Sequence, residues 1–440
     1  KQTTTVSDEI IWQDETQVDK YVNSFYPLLH DYGQFGEAQF YGSFTESLTD
    51  AFKYGSYTLG HRAGHPNLYV LTPDAISPDN CLYSIWLRST AYKQIRETNQ
   101  FLSLQRKYSE FSADRNKLWE AQVRFFRAFV YFQLAKRHGG VILYDDLPVS
   151  TNKARSSAEE TWQFIADDLD FAANNLPKEW DAANKGRITK GAAYALRGKV
   201  YMWKKEWKKA ADDFEEVSKC GYKLYTNGSD AYKQLFKAAN ERCDEMIFSL
   251  QCINEEGFGG IKNRGYGNRC LPPDNEGKGL GWNNYVINPQ FVDSYENKDG
   301  SPFNWDDIIP GYSVMSTNAR QVYFLRNEIN ATERANAEAS GADMTQYKNS
   351  GNEERIKAAY ANRDPRLGFS VITPYSTFIG GIEGEALPYV MRFPYRSRGR
   401  GTQDIETDTN SKMYYLNRKF VGEGTETMTY YSEIDLPFIR

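Results

Sequence analysis

Through the first half of the chain apolar residues recur at alternating steps of three and four, the spacing of an amphipathic helix. Val18, Tyr21, Phe25 and Leu28 form one stripe, and Ile85, Tyr92, Ile95 and Leu102 form a second. Leu118, Ala121, Phe125, Ala128, Phe132 and Ala135 make a longer one, closed by Gly139 and Gly140 as a C-cap signal. Trp162, Ile165, Leu169, Ala172 and Leu176 predict the next helix. Ser157, with Glu160 three residues on, reads as its capping box, and Pro177 ends it. Ala193, Leu196, Val200 and Trp203 follow, then Trp207, Ala210, Phe214 and Val217, ended by Gly221. This periodicity assigns Trp162, Trp203 and Trp207 to the core, and Trp86 reads as a helix anchor. The last two stripes are joined by a short connector and should be antiparallel neighbours. Gly198, Tyr201, Trp207, Ala210 and Phe214 stand at the offsets of a tetratricopeptide-type pair, with Lys205 where a turn glycine is usual. A generic helical hairpin is the alternative. A repeat of this kind buries little alone and needs stacked neighbours.

From about residue 221 the stripes become sparse, and Gly, Pro, Asn and Tyr dominate, as over 258–273. Loops this long are uncommon in compact domains unless they bind something. A short helix is predicted over 288–297, with Asn288 as N-cap and Pro289 at its first position. Further helix is expected within 331–362, and short extended pieces at 141–143, 246–250 and 367–372. The pattern predicts a mainly α fold: a helical scaffold over 1–220, and over 221–440 a loop-rich lobe packed on it.

Charge narrows the function. The 440 residues carry 53 Lys+Arg against 58 Asp+Glu, a formal net charge of -5, without the basic footprint of a nucleic-acid binder. No run of about 18 apolar residues predicts a membrane-spanning helix. Aromatic residues make up 15% of the chain, enough both to fill cores and to form ligand surfaces. Cys81, Cys220, Cys243, Cys252 and Cys270 form no C-x-x-C pair, and an odd number leaves at least one unpaired. The start at Lys1, without a leader pattern, reads as processed or trimmed.

Catalytic signatures are thin. His61 and His65 are four apart, but Gly64 and Pro66 flank the second and no H-E-x-x-H is present. Gly277, Gly279 and Gly281 lack the strand–helix context of a dinucleotide loop, and no G-x-S-x-G elbow occurs. No metal or other cofactor is implied. Of the adjacent carboxylate pairs, Asp167-Asp168 and Asp212-Asp213 read as solvated helix positions; Asp306-Asp307, after Trp305, is the one glycosidase candidate. Arg392, Arg396, Arg398 and Arg400, interleaved with Phe393 and Tyr395, form a basic strip for which an ordinary solvated loop is the simpler reading.

Several segments together resemble the SusD/RagB family of outer-membrane nutrient-binding lipoproteins of Bacteroidetes-type bacteria. AQVRFFRAFVYF (121–132), leading to RHGGVI (137–142), is similar to the family's A-x-x-R-F-x-R-A-x-x-Y-F helix and its following turn, with His138 in place of the usual aromatic. SAEE (157–160) through IADDL (165–169), GAAYALRGKVY (191–201) with WKKA (207–210), NPQFVDSY (288–295) with KDG (298–300), RDPR (363–366) and LNRKF (416–420) follow in the family's order. The resemblance implies a superhelix of stacked tetratricopeptide-like helix pairs with a loop-rich irregular lobe and a few short strands. It implies a lipid anchor upstream of Lys1, and a SusC-like TonB-dependent transporter as partner. It also implies location on the extracellular face of the outer membrane, and oligosaccharide capture without hydrolysis, though some members bind peptides. Family members usually run on past a motif such as PFIR (437–440) into another long helix, which this sequence lacks.

A sugar presents an apolar C–H face and a rim of hydroxyls, so its site needs a flat ring edged by polar side chains. Arg264, Tyr266, Trp282 and Asn283 supply that chemistry within 263–285, Trp305 lies nearby in sequence, and Asn80 and Tyr83 occupy a stretch where the family also contacts ligand. Burial is the competing reading for each ring. A glycosidase using loop carboxylates and a tetratricopeptide adaptor holding a peptide in its groove remain open alternatives.

Overall fold

The computed structural model describes residues 8–32, 49–54, 91–147, 152–253, 260–261, 285–382, 385–394, 404, 415–424, 431–432 and 435–440. The helices begin where local chemistry satisfies their free amides. Helix α1 (Glu15–Asn23) is capped by Asp14, which accepts from the Thr16 amide. Helix α2 (Ala91–Tyr108) leads to α3 (Ala113–His138), capped by Ser112 and ended by Gly139 at φ 68°. Helix α4 (Ala158–Asn175) has the Ser157–Glu160 capping box, with both reciprocal bonds formed. Helices α5 (Lys190–Trp203) and α6 (Trp207–Lys219) follow. Lys205 turns the chain between them at φ 60°, a left-handed conformation that glycine adopts without cost.

From α2 to α6 each helix packs on the next, giving stacked tetratricopeptide-like pairs. The long α3 is the spine: Trp119, Phe125, Phe126, Phe129, Tyr131 and Leu134 are all buried. Helices α5 and α6 approach so closely at Gly198 that an added Cβ would stand 2.5 Å from Phe214 Cε1.

The second half enters the same core. Strand Phe248–Leu250 pairs antiparallel with Leu436–Ile439, and Phe248 and Phe438 meet the α3 rings of Phe125 and Phe129 at 5.6 and 5.3 Å. The other described sheets are likewise two-stranded and antiparallel. A separate core gathers Trp305, Ile309, Phe324, Ile356, Ala359 and Tyr375.

Several local expectations are corrected. Residues 141–143 are no strand; the Ile142 and Tyr144 amides donate to the hydroxyls of Tyr92 (3.1 Å) and Tyr131 (2.7 Å). Most of 367–372 belongs to the helix Pro365–Ser370, started by the Asp364 cap and Pro365, leaving only Val371–Ile372 extended. The helix after Asn288 is limited to Pro289–Asp293, and 331–362 holds two helices, Ala331–Ala339 and Asn352–Ala361. Trp162 is buried as expected, but Trp203 and Trp207 are 54% and 62% exposed. They sit at the outer hairpin of the stack, where among the described residues no further helix covers them; Trp203 stacks on Trp162 at 5.5 Å.

Asp168 and Asp213 are also not solvated. Asp168 is 1% exposed and accepts from Arg127 Nε and Nη2 (both 2.8 Å) and from Arg124 Nε (2.7 Å). Arg127 Nη1 reaches Asn99 Oδ1 (2.7 Å) and the Asp145 carbonyl (3.2 Å), so one guanidinium joins α2, α3, α4 and the segment after α3. Asp213 receives a two-pronged bond from Arg197, linking α5 to α6.

Removing one partner of a buried pair leaves an uncompensated charge, so Asp168→Ala should destabilise the protein by about 3–5 kcal/mol in denaturant unfolding. A second prediction concerns Asp435, whose carboxyl burial pushes up to about 6, against the opposing Cys252 amide bond and Arg242. The folded state thus holds this proton better than the unfolded chain. The group's contribution to stability is full below about pH 4 and is lost as pH rises through about 6. Unfolding titrations should show Asp435→Asn gaining stability relative to the parent protein between pH 4 and 7.

Candidate functional site

Of the sequence-predicted ligand residues, Asn80, Tyr83, Arg264, Tyr266, Trp282 and Asn283 lie outside the described residues. What the structure shows is the frame on which that segment ends. Just after Asn283, strand Tyr285–Ile287 pairs with Phe52–Tyr54, the Ile287 amide donates to the Tyr415 carbonyl (2.8 Å), and the Asn288 amide donates to the Ala51 carbonyl (2.9 Å).

Trp305 is placed in the interior, contrary to its reading as an open sugar platform. It begins a short 3₁₀ turn after the Asn304 cap, is 5% exposed, and is ringed by Phe303, Tyr312, Phe324 and Tyr360 at centroid distances of 5.1 to 5.9 Å. Its indole nitrogen donates to Asp293 Oδ1 at 2.9 Å. A loop position in sequence suggested exposure, but this loop folds onto an aromatic core shared with Phe324, Ile356 and Tyr375. The adjoining Arg363 is equally enclosed: its guanidinium lies 3.5 Å over the Phe303 ring, and Nη2 donates to the carbonyls of Val292 and Tyr295.

Among the described residues, Asp306, the sequence's glycosidase candidate with Asp307, is engaged by the turn that follows it. Asp306 accepts from the Ser313 amide (3.1 Å), and its bonds to Ser313 hold it below the usual range, the wrong direction for a general acid at neutral pH. Burial pushes Asp293 up, opposed by Trp305 and Arg363, but it is committed to that indole. Among the described residues no group of three His, Cys, Asp or Glu side chains could hold a metal ion, and no helix is long and apolar enough to cross a membrane.

A cavity of about 300 Å³ opens between α5, α6 and the C-terminal strand, its apolar walls including Ala195, Phe214, Tyr222 and Ile439. Lys199 lines it and donates to the Phe438 carbonyl at 3.4 Å. The sequence reading missed both this cavity and the open faces of Trp203 and Trp207. A stripe at helical spacing shows which side of a helix is apolar, and is silent on whether anything covers it.

Comparison with known proteins settles the family. Residues 4–202 match the family model described as "Starch-binding associating with outer membrane", and residues 244–440 match that of the SusD family. The chain belongs to the SusD/RagB family. A SusD-like protein of Bacteroides ovatus is 31% identical over 150 residues, 30% of this chain and 26% of that protein. SusD-like protein P25 of Formosa agariphila is 22% identical over 253 residues, 56% of this chain and 46% of its own length, so the matches span at most about half of these curated relatives. The solved structure of a SusD-like carbohydrate-binding protein from Bacteroides fragilis superimposes with a TM-score of 0.65 at 21% identity, covering 98% of this chain and 72% of that one. It is the fold that this SusD/RagB member shares with it.

The interior placement of Trp305 predicts a separation of effects. Trp305→Ala should cost about 3–5 kcal/mol in unfolding experiments. Trp305→Phe should leave the affinity for any bound glycan within twofold of the parent, as titration calorimetry would read.

Proposed function

We propose that this chain is a glycan-binding protein of the cell surface, which captures oligosaccharide and passes it unchanged to a SusC-like TonB-dependent transporter. The observation that carries the reading is the match of both halves of the chain to SusD-type family models, one of them described as starch-binding and associated with the outer membrane. The solved relative described as carbohydrate-binding supports it. So does the chemistry of the loop residues: Trp282, Tyr266 and Tyr83 offer ring faces, and Arg264, Asn283 and Asn80 offer hydrogen bonds to hydroxyls. In this reading a lipid anchor upstream of Lys1 holds the protein at the extracellular face of the outer membrane.

Titration calorimetry across a panel of oligosaccharides tests this. Trp282→Ala should weaken the best glycan at least tenfold, about 1.4 kcal/mol, with an unchanged melting temperature. Unchanged affinity would remove Trp282 from the site. Steady conversion of the oligosaccharide to shorter sugars, or binding of peptides in place of glycans, would overturn the reading.

A further inference from the structure

Four chain segments bring basic and aromatic side chains to one surface remote from the predicted sugar-binding loops in sequence. The short helix α7 (Ala231–Gln234) carries Tyr232 and packs on the helix Pro365–Ser370, which carries Arg366. Lys419 donates its ammonium to the Tyr232 hydroxyl oxygen at 2.6 Å and lies 4.7 and 4.9 Å from the centroids of Tyr232 and Phe236. Arg440 lies 4.7 Å over Phe236. The next residue, Phe420, adopts φ 55°, a conformation rare for a bulky side chain, and packs on Phe236 at 4.9 Å. Strain of this kind persists only where the surroundings enforce it, and it tends to mark functional turns.

The charge balance of the cluster is incomplete. Arg366 is engaged by Asp364, and Arg440 has Glu245 at 3.6 Å. Lys419 has only the phenol oxygen and two ring faces, and among the described residues no carboxylate pairs with it. Burial alone would raise the Tyr232 hydroxyl, yet Lys419 and Arg440 outweigh it and hold the group below the usual phenol range. A phenol whose oxygen already accepts from an ammonium has its own proton free to donate, and the nearby cations make it a stronger donor. Arg440 already meets Glu245, but the Tyr232 hydroxyl and the Lys419 ammonium keep protons that no carboxylate among the described residues takes, and donors of this type beside a guanidinium are what an oxyanion recognises.

We propose that Tyr232, Lys419 and Arg440 bind an oxyanion carried on the captured glycan, a uronic acid carboxylate or a sulfate ester. The proposal rests on the glycan-binding reading and narrows its substrate class to acidic polysaccharides. It also explains how a chain of net charge -5 could hold an anionic ligand: recognition is local, through a cationic spot on an otherwise acidic protein.

The test compares the parent protein with Lys419→Gln and Tyr232→Phe, each checked for an unchanged melting temperature. Calorimetry at low salt is run with a neutral oligosaccharide, a uronate-bearing one and a sulfated one, and melting is measured with sodium sulfate against sodium chloride at equal ionic strength. The parent should bind one of the acidic oligosaccharides at least tenfold more tightly than the neutral one, and the arm that gains identifies the group. Both substitutions should abolish that preference while leaving neutral affinity unchanged, and sulfate should stabilise the parent but not Lys419→Gln. Neutral binding without acidic preference, or a preference that survives both substitutions, would overturn the anion site and spare the glycan reading. Sulfate stabilisation without binding of any glycan would instead overturn the glycan reading, and with it the proposal that the anion arrives on a sugar.

Discussion

A carboxylate shut away from water between two guanidinium groups governs how this protein can be assembled. Asp168 cannot be desolvated alone, so α4 must dock where Arg124 and Arg127 of α3 present their donors. Arg127 in turn needs Asn99 from α2 and the Asp145 carbonyl, and Tyr131 and Tyr92 satisfy the extended backbone just after α3. Apolar surface would tolerate small slips between these helices; the buried pair does not. The hydrophobic effect supplies most of the stability of the stack, and the ion pair supplies its register. Arg197 with Asp213 repeats the device one hairpin further along.

That register matters to the loop-rich half because the two halves share a core. Phe248 and Phe438 pack on rings of α3, so the strand pair that carries them is positioned by the helix that Asp168 fixes. The second lobe adds its own aromatic core around Trp305, closed by the indole bond to Asp293. Between these anchors the strand Tyr285–Ile287 receives the segment that carries Trp282 and Asn283. Binding loops need a frame that does not yield when ligand arrives, and interlocked cores provide one.

Much of the helical half was legible in the sequence, because caps and periodic stripes are local signals. Ser157 with Glu160, Gly139 and Asn288 each act as their positions suggested. What failed was non-local. Adjacent helical residues differ by about 100° in direction, so Asp167 faces solvent beside Gln163 while its neighbour Asp168 faces inward, and nothing near 168 in sequence announces an arginine from 41 residues earlier. Trp203 and Trp207 sit on an apolar stripe whose cover the stripe cannot guarantee. Trp305 shows the reverse: an irregular segment can bury a ring when its own turn and distant elements, here those carrying Phe324 and Tyr360, together supply the walls. The identity of the family was legible only because several motifs kept their order along the chain.

The central claim is that the segments carrying Tyr83, Tyr266 and Trp282 grip a glycan while the locked helical frame stays still. Hydrogen–deuterium exchange of the whole chain, with and without a saturating oligosaccharide, reads this directly. The account predicts slowed exchange over 79–86 and 263–285 and unchanged exchange through α3 and α4. Slowing confined to the helical hairpins, with those two segments unaffected, would contradict it.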